Sequence, residues 1–451
     1  MDDLTPTRIE RIDYATAFPF TRIFQSFRLA IHPSRLVLAL CFIVLAWIAG
    51  WILDAIYWNS QVVVKPFDIT STHYEWDMFR LKPVEEFPKW QADTLAAASP
   101  EEKRGVFQEV VAVQKDLFQN MISAAIDLRV GFDQLHPSAS PDDSTVLGSI
   151  RLMTLSLPAW LWASHRWFFI FYSALLLALW ALFGGALSRQ MIVGAATDRI
   201  VPMSEAVAYS ASGWRRYFVG PLLPLGVILI CWGVLWLFGL LFHIWGINIL
   251  AGALYFLAIA AGWVMALALI LWFAGVHLIY PALSAQGPDT VDSVSRALSY
   301  VLGRPWQLLL QTLVALIYGA VTYVFVGLFI YLMLSLAHWG VNGSGSLEGV
   351  FDAPRFGQWP EPAANLEGTD RPTAFLIHLW VYLAIAGLAA YAISYYFAAY
   401  SQIYLLLRKS YDGDDPADIY EAPLTPALAA STSEPIPSTS PPTTTGDADS
   451  T

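Results

Sequence analysis

The stretch Val291-Asp-Ser-Val-Ser-Arg-Ala-Leu-Ser-Tyr-Val-Leu-Gly-Arg-Pro-Trp306 decides how the chain folds. It starts beside Asp289 and Asp292, negative charges that a helix N-terminus favours. The segment is short and amphipathic, halts at Gly303-Arg304-Pro305, and is followed at once by an apolar run from Leu308 to Leu336. The same order occurs twice more. Phe24-Gln-Ser-Phe-Arg-Leu-Ala-Ile-His-Pro-Ser-Arg35 precedes an apolar run from Leu36 to Trp58, and Ala206-Val-Ala-Tyr-Ser-Ala-Ser-Gly-Trp-Arg-Arg216, with Glu205 at its start, precedes one from Val219 to Phe242. Three units, each an interfacial helix followed by a transmembrane hairpin, would build the whole membrane portion.

Composition agrees. Of 451 residues, 56% are hydrophobic and 14% charged, whereas charged residues make up roughly a quarter of a soluble protein. The 19 Trp suit a chain with many membrane-water interfaces. The expected fold is an all-α integral membrane protein of six spans, the remaining three being Trp167 to Leu187, Ile247 to Ala274 and Ala374 to Leu407. Between the third and fourth stands only Phe242-His-Ile-Trp-Gly-Ile-Asn248, read as a tight hairpin, because one helix across the whole run would be far too long.

Lys and Arg set the orientation. Arg8, Arg11, Arg22, Arg28 and Arg35, then Arg189, Arg199, Arg215 and Arg216, then Arg296 and Arg304, then Arg408 and Lys409 fall on one side in a six-span count. Both termini are thus expected in the cytoplasm of a bacterium, with the protein in the inner membrane. Residues 1–35 form an N-terminal arm, 36–407 the membrane domain, 60–166 a partly helical insertion on the far side, 337–373 an acidic outer loop, and 408–451 a tail that turns rich in Pro, Ser and Thr and is expected to be disordered. Within the insertion a helix is expected to start at Ser99-Pro-Glu-Glu102 and run to about Arg129, and Gly148 to Trp162 to lie in the interface.

Few residues invite a functional reading. Asp54, near the outer end of the first span, is either a solvated interfacial carboxylate or part of a polar pathway. Arg35, Arg215, Arg216 and Arg304 stand where anionic lipid headgroups would attract them, although topology alone would also place them there. His243, His277, His338 and His378 lie near helix ends and read as interfacial hydrogen-bonding groups. Asp412, Asp414, Asp415, Asp418 and Glu421 read as a solvated acidic run, since Pro416 and Pro423 occupy positions where a calcium loop wants ligands. Ala258, Gly262 and Ala266 in the fourth span, and Ala386, Ala390, Ser394 and Ala398 in the sixth, recur every four residues and suggest close helix packing. Cys41 and Cys231 lie in apolar runs and indicate no disulfide. A net charge of −11 without a basic surface argues against nucleic acid. No Gly-rich phosphate loop, nucleophile elbow or HExxH occurs, so no catalytic residue, cofactor or metal is expected.

The unit best seen in Val291 to Trp306 resembles a broad group of bacterial multi-pass proteins that includes the membrane domain attached to some glycerophosphodiester phosphodiesterases. The resemblance covers the membrane portion and implies no activity, because the chemistry of that group resides in a soluble barrel that no segment here would form. Two functions are therefore expected of this chain. One is a non-enzymatic accessory or organising component of the inner membrane, with lipids and other membrane proteins or itself as partners; the other is a transporter or lipid-handling permease with a cavity between the repeats.

Overall fold

The computed structural model describes residues 19–56, 61–64, 73–83, 85–99, 102–131, 144–344, 347, 350–351, 353–354, 366 and 368–420. Arg8, Arg11, most of the acidic outer loop and the Pro/Ser/Thr-rich tail fall outside the described residues.

The described residues are helical almost throughout. After a 3-10 turn, α1 (Ser26–Ala30) leads into α2 (Pro33–Ile56). The insertion follows: strand β1 (Gln61–Val63), α3 (Tyr74–Leu81), α4 (Phe87–Ala97), strand β2 (Lys103–Gly105), α5 (Val106–Ile126), then α6 (Val146–Arg151) and α7 (Leu157–Ser164) joined by a π-helical turn. Next come α8 (Arg166–Thr197), α9 (Met203–Ser212), α10 (Trp214–Val219), α11 (Leu223–Leu240), α12 (Ile247–Ala253) and α13 (Tyr255–Gln286). The last three are α14 (Thr290–Gly303), α15 (Pro305–Val341) and α16 (Asp370–Tyr411).

Local chemistry accounts for the breaks. Asp289 caps α14 by accepting from the amides of Val291 and Asp292 at 3.0 and 3.2 Å. Between α11 and α12 the chain reverses within a few residues at Gly246, whose φ of +82° an L side chain rarely adopts, and Trp245 projects 96% exposed from the turn. The insertion helix does not start at Ser99. Residues 103–105 instead pair antiparallel with 61–63, and the helix begins at Val106. The sheet hydrogen bonds of this short ladder outcompeted a plausible cap.

Among the described residues seven helical stretches are long and apolar enough to cross a membrane, one more than the six expected. The additional one, Val146–Ser164, is the segment expected to lie in the interface. It packs against α5, and Leu152, Leu157, Trp160 and Leu161 join Val62, Trp76, Phe107, Val110 and Phe168 in a core that belongs to the insertion.

A second, larger core holds the hairpins together at one end. It takes Ala181 to Gly194 of α8, Gly275 to Ala285 of α13 and most of Ala390 to Arg408 of α16; each of these three helices touches the other two. Around them the short helices follow a rotating pattern, each seated on the last helix of another hairpin. The Oγ of Ser210 in α9 donates to the carbonyl of Leu182 in α8 at 2.7 Å. On α14, Leu298 and Val301 pack over Gly275 of α13 so closely that a Cβ there would lie 2.8 Å from Leu298. On α16, the Oγ of Ser394 donates to the carbonyl of Ala30 in α1 at 2.7 Å. Away from that end few side chains are buried. No residue in the most apolar stretch of the α10–α11 span or of α13 is buried, and Trp232, Trp263, Phe273, Phe329 and Trp380 are all exposed.

Candidate functional site

Polar side chains concentrate at two places, the gathered end of the bundle and the core of the insertion. At the gathered end, the three central helices carry matching segments: Ala186-Leu-Ser-Arg-Gln190, Ala282-Leu-Ser-Ala-Gln286 and Ala398-Ala-Tyr-Ser-Gln402. Each Ala is fully buried, which lets the helices approach. The Oγ of Ser284 donates to the Oγ of Ser188 at 3.0 Å, and the hydroxyl of Tyr217 lies 2.9 Å from Ser284. The Nε2 of Gln190 donates to the carbonyl of Val201, and that of Gln286 to the hydroxyl of Tyr404. On all three glutamines one amide atom is buried without a partner. Sequence reading compared the segments ahead of the first helix of each hairpin and overlooked this match in the second helices, although the shared Ala-x-x-x-Gln is visible in the chain.

The arginines here divide by what they touch. Arg35 is only 4% exposed and turns inward, donating to the carbonyls of Leu29 at 2.6 Å and Gln190 at 3.2 Å. It ties the start of α2 to α8. Arg408, 6% exposed, pairs with Asp414 at 3.0 Å. Arg215 and Arg304 are exposed, and Arg304 donates to the carbonyl of Ser410. Arg189 donates to the carbonyl of Ser284 at 2.8 Å, and Arg216 to that of Gly287 at 3.3 Å. Both guanidiniums lie over the ring of Tyr209, at 4.5 and 4.4 Å from its centre. The acidic run is partly engaged as well, since Asp412 accepts from the hydroxyl of Tyr300.

In the insertion, Glu75 and Glu109 are almost wholly buried, a cost that proteins offset by pairing. His73 spans Glu109 and Asp116 at 2.7 and 2.8 Å, and Arg104 reaches the other oxygen of Glu109 at 3.3 Å. Burial by itself would lower the His73 pKa, but the hydrogen bonds to Asp116 and Glu109 outweigh it and push it up to about 9. Glu75 accepts from the Nε2 of Gln91 at 2.9 Å and lies 3.1 Å from His165. His165 stands at the break between α7 and α8, so this contact fastens the insertion to the membrane helix. None of these groups was singled out in the sequence, where a His and a Glu thirty-six residues apart carry no periodic signal.

Asp54 belongs to this region too. Its carboxylate accepts from the amides of Phe107 and Gln108 at the N-terminus of α5. The small-residue stripe of the sixth span packs as expected, with Ala390, Ser394 and Ala398 buried. That of the fourth span does not, because a Cβ on Gly262 would meet nothing within 4 Å. His277 stacks on Tyr400 and shares a 2.9 Å hydrogen bond with Tyr396, while His338 meets the carbonyl of Phe351. Among the described residues no group of three His, Cys, Asp or Glu is arranged to hold a metal ion. Compared with protein-family models, curated proteins and solved structures, the chain gives no match.

Proposed function

We propose that the protein is a non-enzymatic component of a bacterial inner membrane that organises or assists other membrane proteins, with six spans and both termini in the cytoplasm. The observation that carries this reading is the half of the bundle away from the gathered end, where α11, α13, α15 and α16 leave broad apolar faces uncovered within the chain. Faces of that extent are satisfied by lipid tails or by the helices of a partner, and a partner's helices give them a use. The surroundings of Val146–Ser164 support six spans rather than seven. Its companion α5 carries buried Glu109 and half-exposed Asp116, groups that belong in water-accessible protein and not in hydrocarbon. The orientation rests on Arg199, Arg215, Arg296, Arg304 and Lys409 lying near the gathered end. The three matched units and their rotating contacts favour a three-fold repeat, and with it the kinship to the membrane domain attached to some glycerophosphodiester phosphodiesterases.

The test is cross-linking from native membranes through photoreactive residues at Trp232, Trp263 and Phe329. A stoichiometric partner or a stable self-oligomer captured at these positions is the expected result; capture of lipid alone would defeat the reading. A lipid-handling permease is the second reading, favoured by the same uncovered apolar faces, which lipid tails also suit. Lipid scrambling by the purified protein in liposomes would establish it in place of the first.

A further inference from the structure

Beyond the organising role, we propose that Arg189 and Arg216, gathered on the ring of Tyr209, form a binding site for a phosphate-type anion at the cytoplasmic end of the bundle. The case begins with charge. Two guanidiniums held over one ring repel each other, and neither is paired with a carboxylate among the described residues. The nearby acids are engaged elsewhere, Glu205 with Arg199, Asp198 with Arg28 and Asp414 with Arg408. The aromatic face offsets part of the cost of burial but neutralises no charge.

Hydrogen-bonding capacity points the same way. Arg189 is 93% buried by its 7% exposure, and its described bond, to the carbonyl of Ser284, uses one of five donors. Arg216 spends one on the carbonyl of Gly287, and its Nε is buried without a partner. The hydroxyl of Tyr209, beside both cations, is also buried without a partner. Donors of this number and planarity fit an anion with several oxygens, which is why guanidinium pairs recognise phosphate.

The backbone is shaped to hold Arg216 there. The α9–α10 elbow turns at Gly213, where a Cβ would lie 2.4 Å from the Arg216 Nε and 2.7 Å from its Cζ. The φ of −110° at Gly213 suits any residue, so what excludes a side chain is the guanidinium folded against it. The elbow leads directly into the α10–α11 span, which places the site at the depth of the inner-leaflet headgroups. A phospholipid headgroup and free phosphate share this chemistry.

The experiment uses the full chain, purified in detergent, with native mass spectrometry to count retained phospholipid and thermal denaturation to read stabilisation. Phosphatidylglycerol, phosphatidylcholine and inorganic phosphate are added separately to wild type, Arg216→Gln, Arg189→Gln, Gly213→Ala and, as control, Arg296→Gln, which removes an exposed arginine paired with Asp292. Loss of a charged hydrogen-bonding partner should weaken binding by about tenfold or more in Arg216→Gln and Arg189→Gln. Gly213→Ala, which keeps both charges but displaces one, should weaken it as well, whereas Arg296→Gln should bind as wild type does. Preference for phosphatidylglycerol identifies a headgroup site, and a response to inorganic phosphate identifies a free anion; either supports the proposal. Because Arg189 also braces α13 through Ser284, a destabilised Arg189→Gln leaves Arg216→Gln and Gly213→Ala to be read. If those two retain lipid and respond to phosphate as wild type does, the arginines are structural and the proposal fails.

Discussion

The carboxylate of Asp54 accepts from the main-chain amide of Phe107 at 2.8 Å, joining the last turn of the first membrane helix to the first turn of the long insertion helix. A second bond, from the amide of Gln108 at 3.1 Å, makes Asp54 a cap supplied from another helix. The fit is close enough that a Cβ on Gly105 would meet Asp54 Oδ2 at 2.3 Å. This arrangement supplies a structural role for a residue that also reads as part of a polar pathway.

Replacing Asp54 by Asn should therefore loosen the insertion without touching the bundle. Loss of a charge at a helix N-terminus costs about 1 kcal/mol. Hydrogen-deuterium exchange should rise over residues 106–112 and stay unchanged in α13 and α16; no rise at α5 would argue that the contact contributes nothing.

His73 makes the insertion sensitive to alkali. Its folded pKa of about 9 lies above the ordinary value of 6.5. The stabilisation it provides is therefore complete below pH 6.5 and is lost as pH rises through 9. Fluorescence of the insertion, where Trp76 and Trp160 are buried, should report loosening across that interval. His73→Gln should flatten the profile, and at neutral pH it should destabilise the insertion by about 3 kcal/mol, because buried Glu109 keeps only Arg104.

Two glycines should behave oppositely. A Cβ at Gly185 would sit 2.3 Å from the Oγ of Ser210 and 2.8 Å from the Tyr217 ring, whereas Gly262 has open space. Gly185→Leu is expected to unseat α9 and α10 and cost about 3 kcal/mol or more. Gly262→Leu should leave the melting temperature of the purified protein within a degree or two, and a large drop would place an unrecognised neighbour at that face.

Topology can be read with single cysteines in a variant lacking Cys41 and Cys231. Asp93→Cys and Ser212→Cys both lie on exposed surface. With six spans, an impermeant maleimide applied to intact spheroplasts labels Asp93→Cys alone. Labelling of both from outside would mean that Val146–Ser164 crosses the bilayer, and labelling of Ser212→Cys alone that the orientation is reversed.

What the sequence disclosed and what it concealed follow a physical line. The turn at Trp245 and Gly246 was legible because hydrocarbon thickness limits helix length, a constraint that acts along the chain. Asp289 was legible as a charge at a helix start, because what it acts on, the amides two and three residues away, is local in the chain. Arg35 was not, since its place beside the headgroups and its place against the Gln190 carbonyl look alike until α8, 155 residues on, is packed beside it. The same holds for His73, Glu109 and Arg189, whose partners or ring contacts are set by tertiary packing alone. The fourth span shows the converse error: small residues every four positions permit close packing but do not supply the helix that packs.

The seat of α1 bears on how the protein is made. Ser26–Ala30 leaves the ribosome well ahead of the helix it rests on, α16; Ser394 and Ala30 are 364 residues apart. Insertion of the hairpins between them must therefore proceed with α1 undocked, and its docking waits until α16 has emerged. A product interrupted before α16 would keep α1 without its seat, so a break late in synthesis would loosen a segment made much earlier.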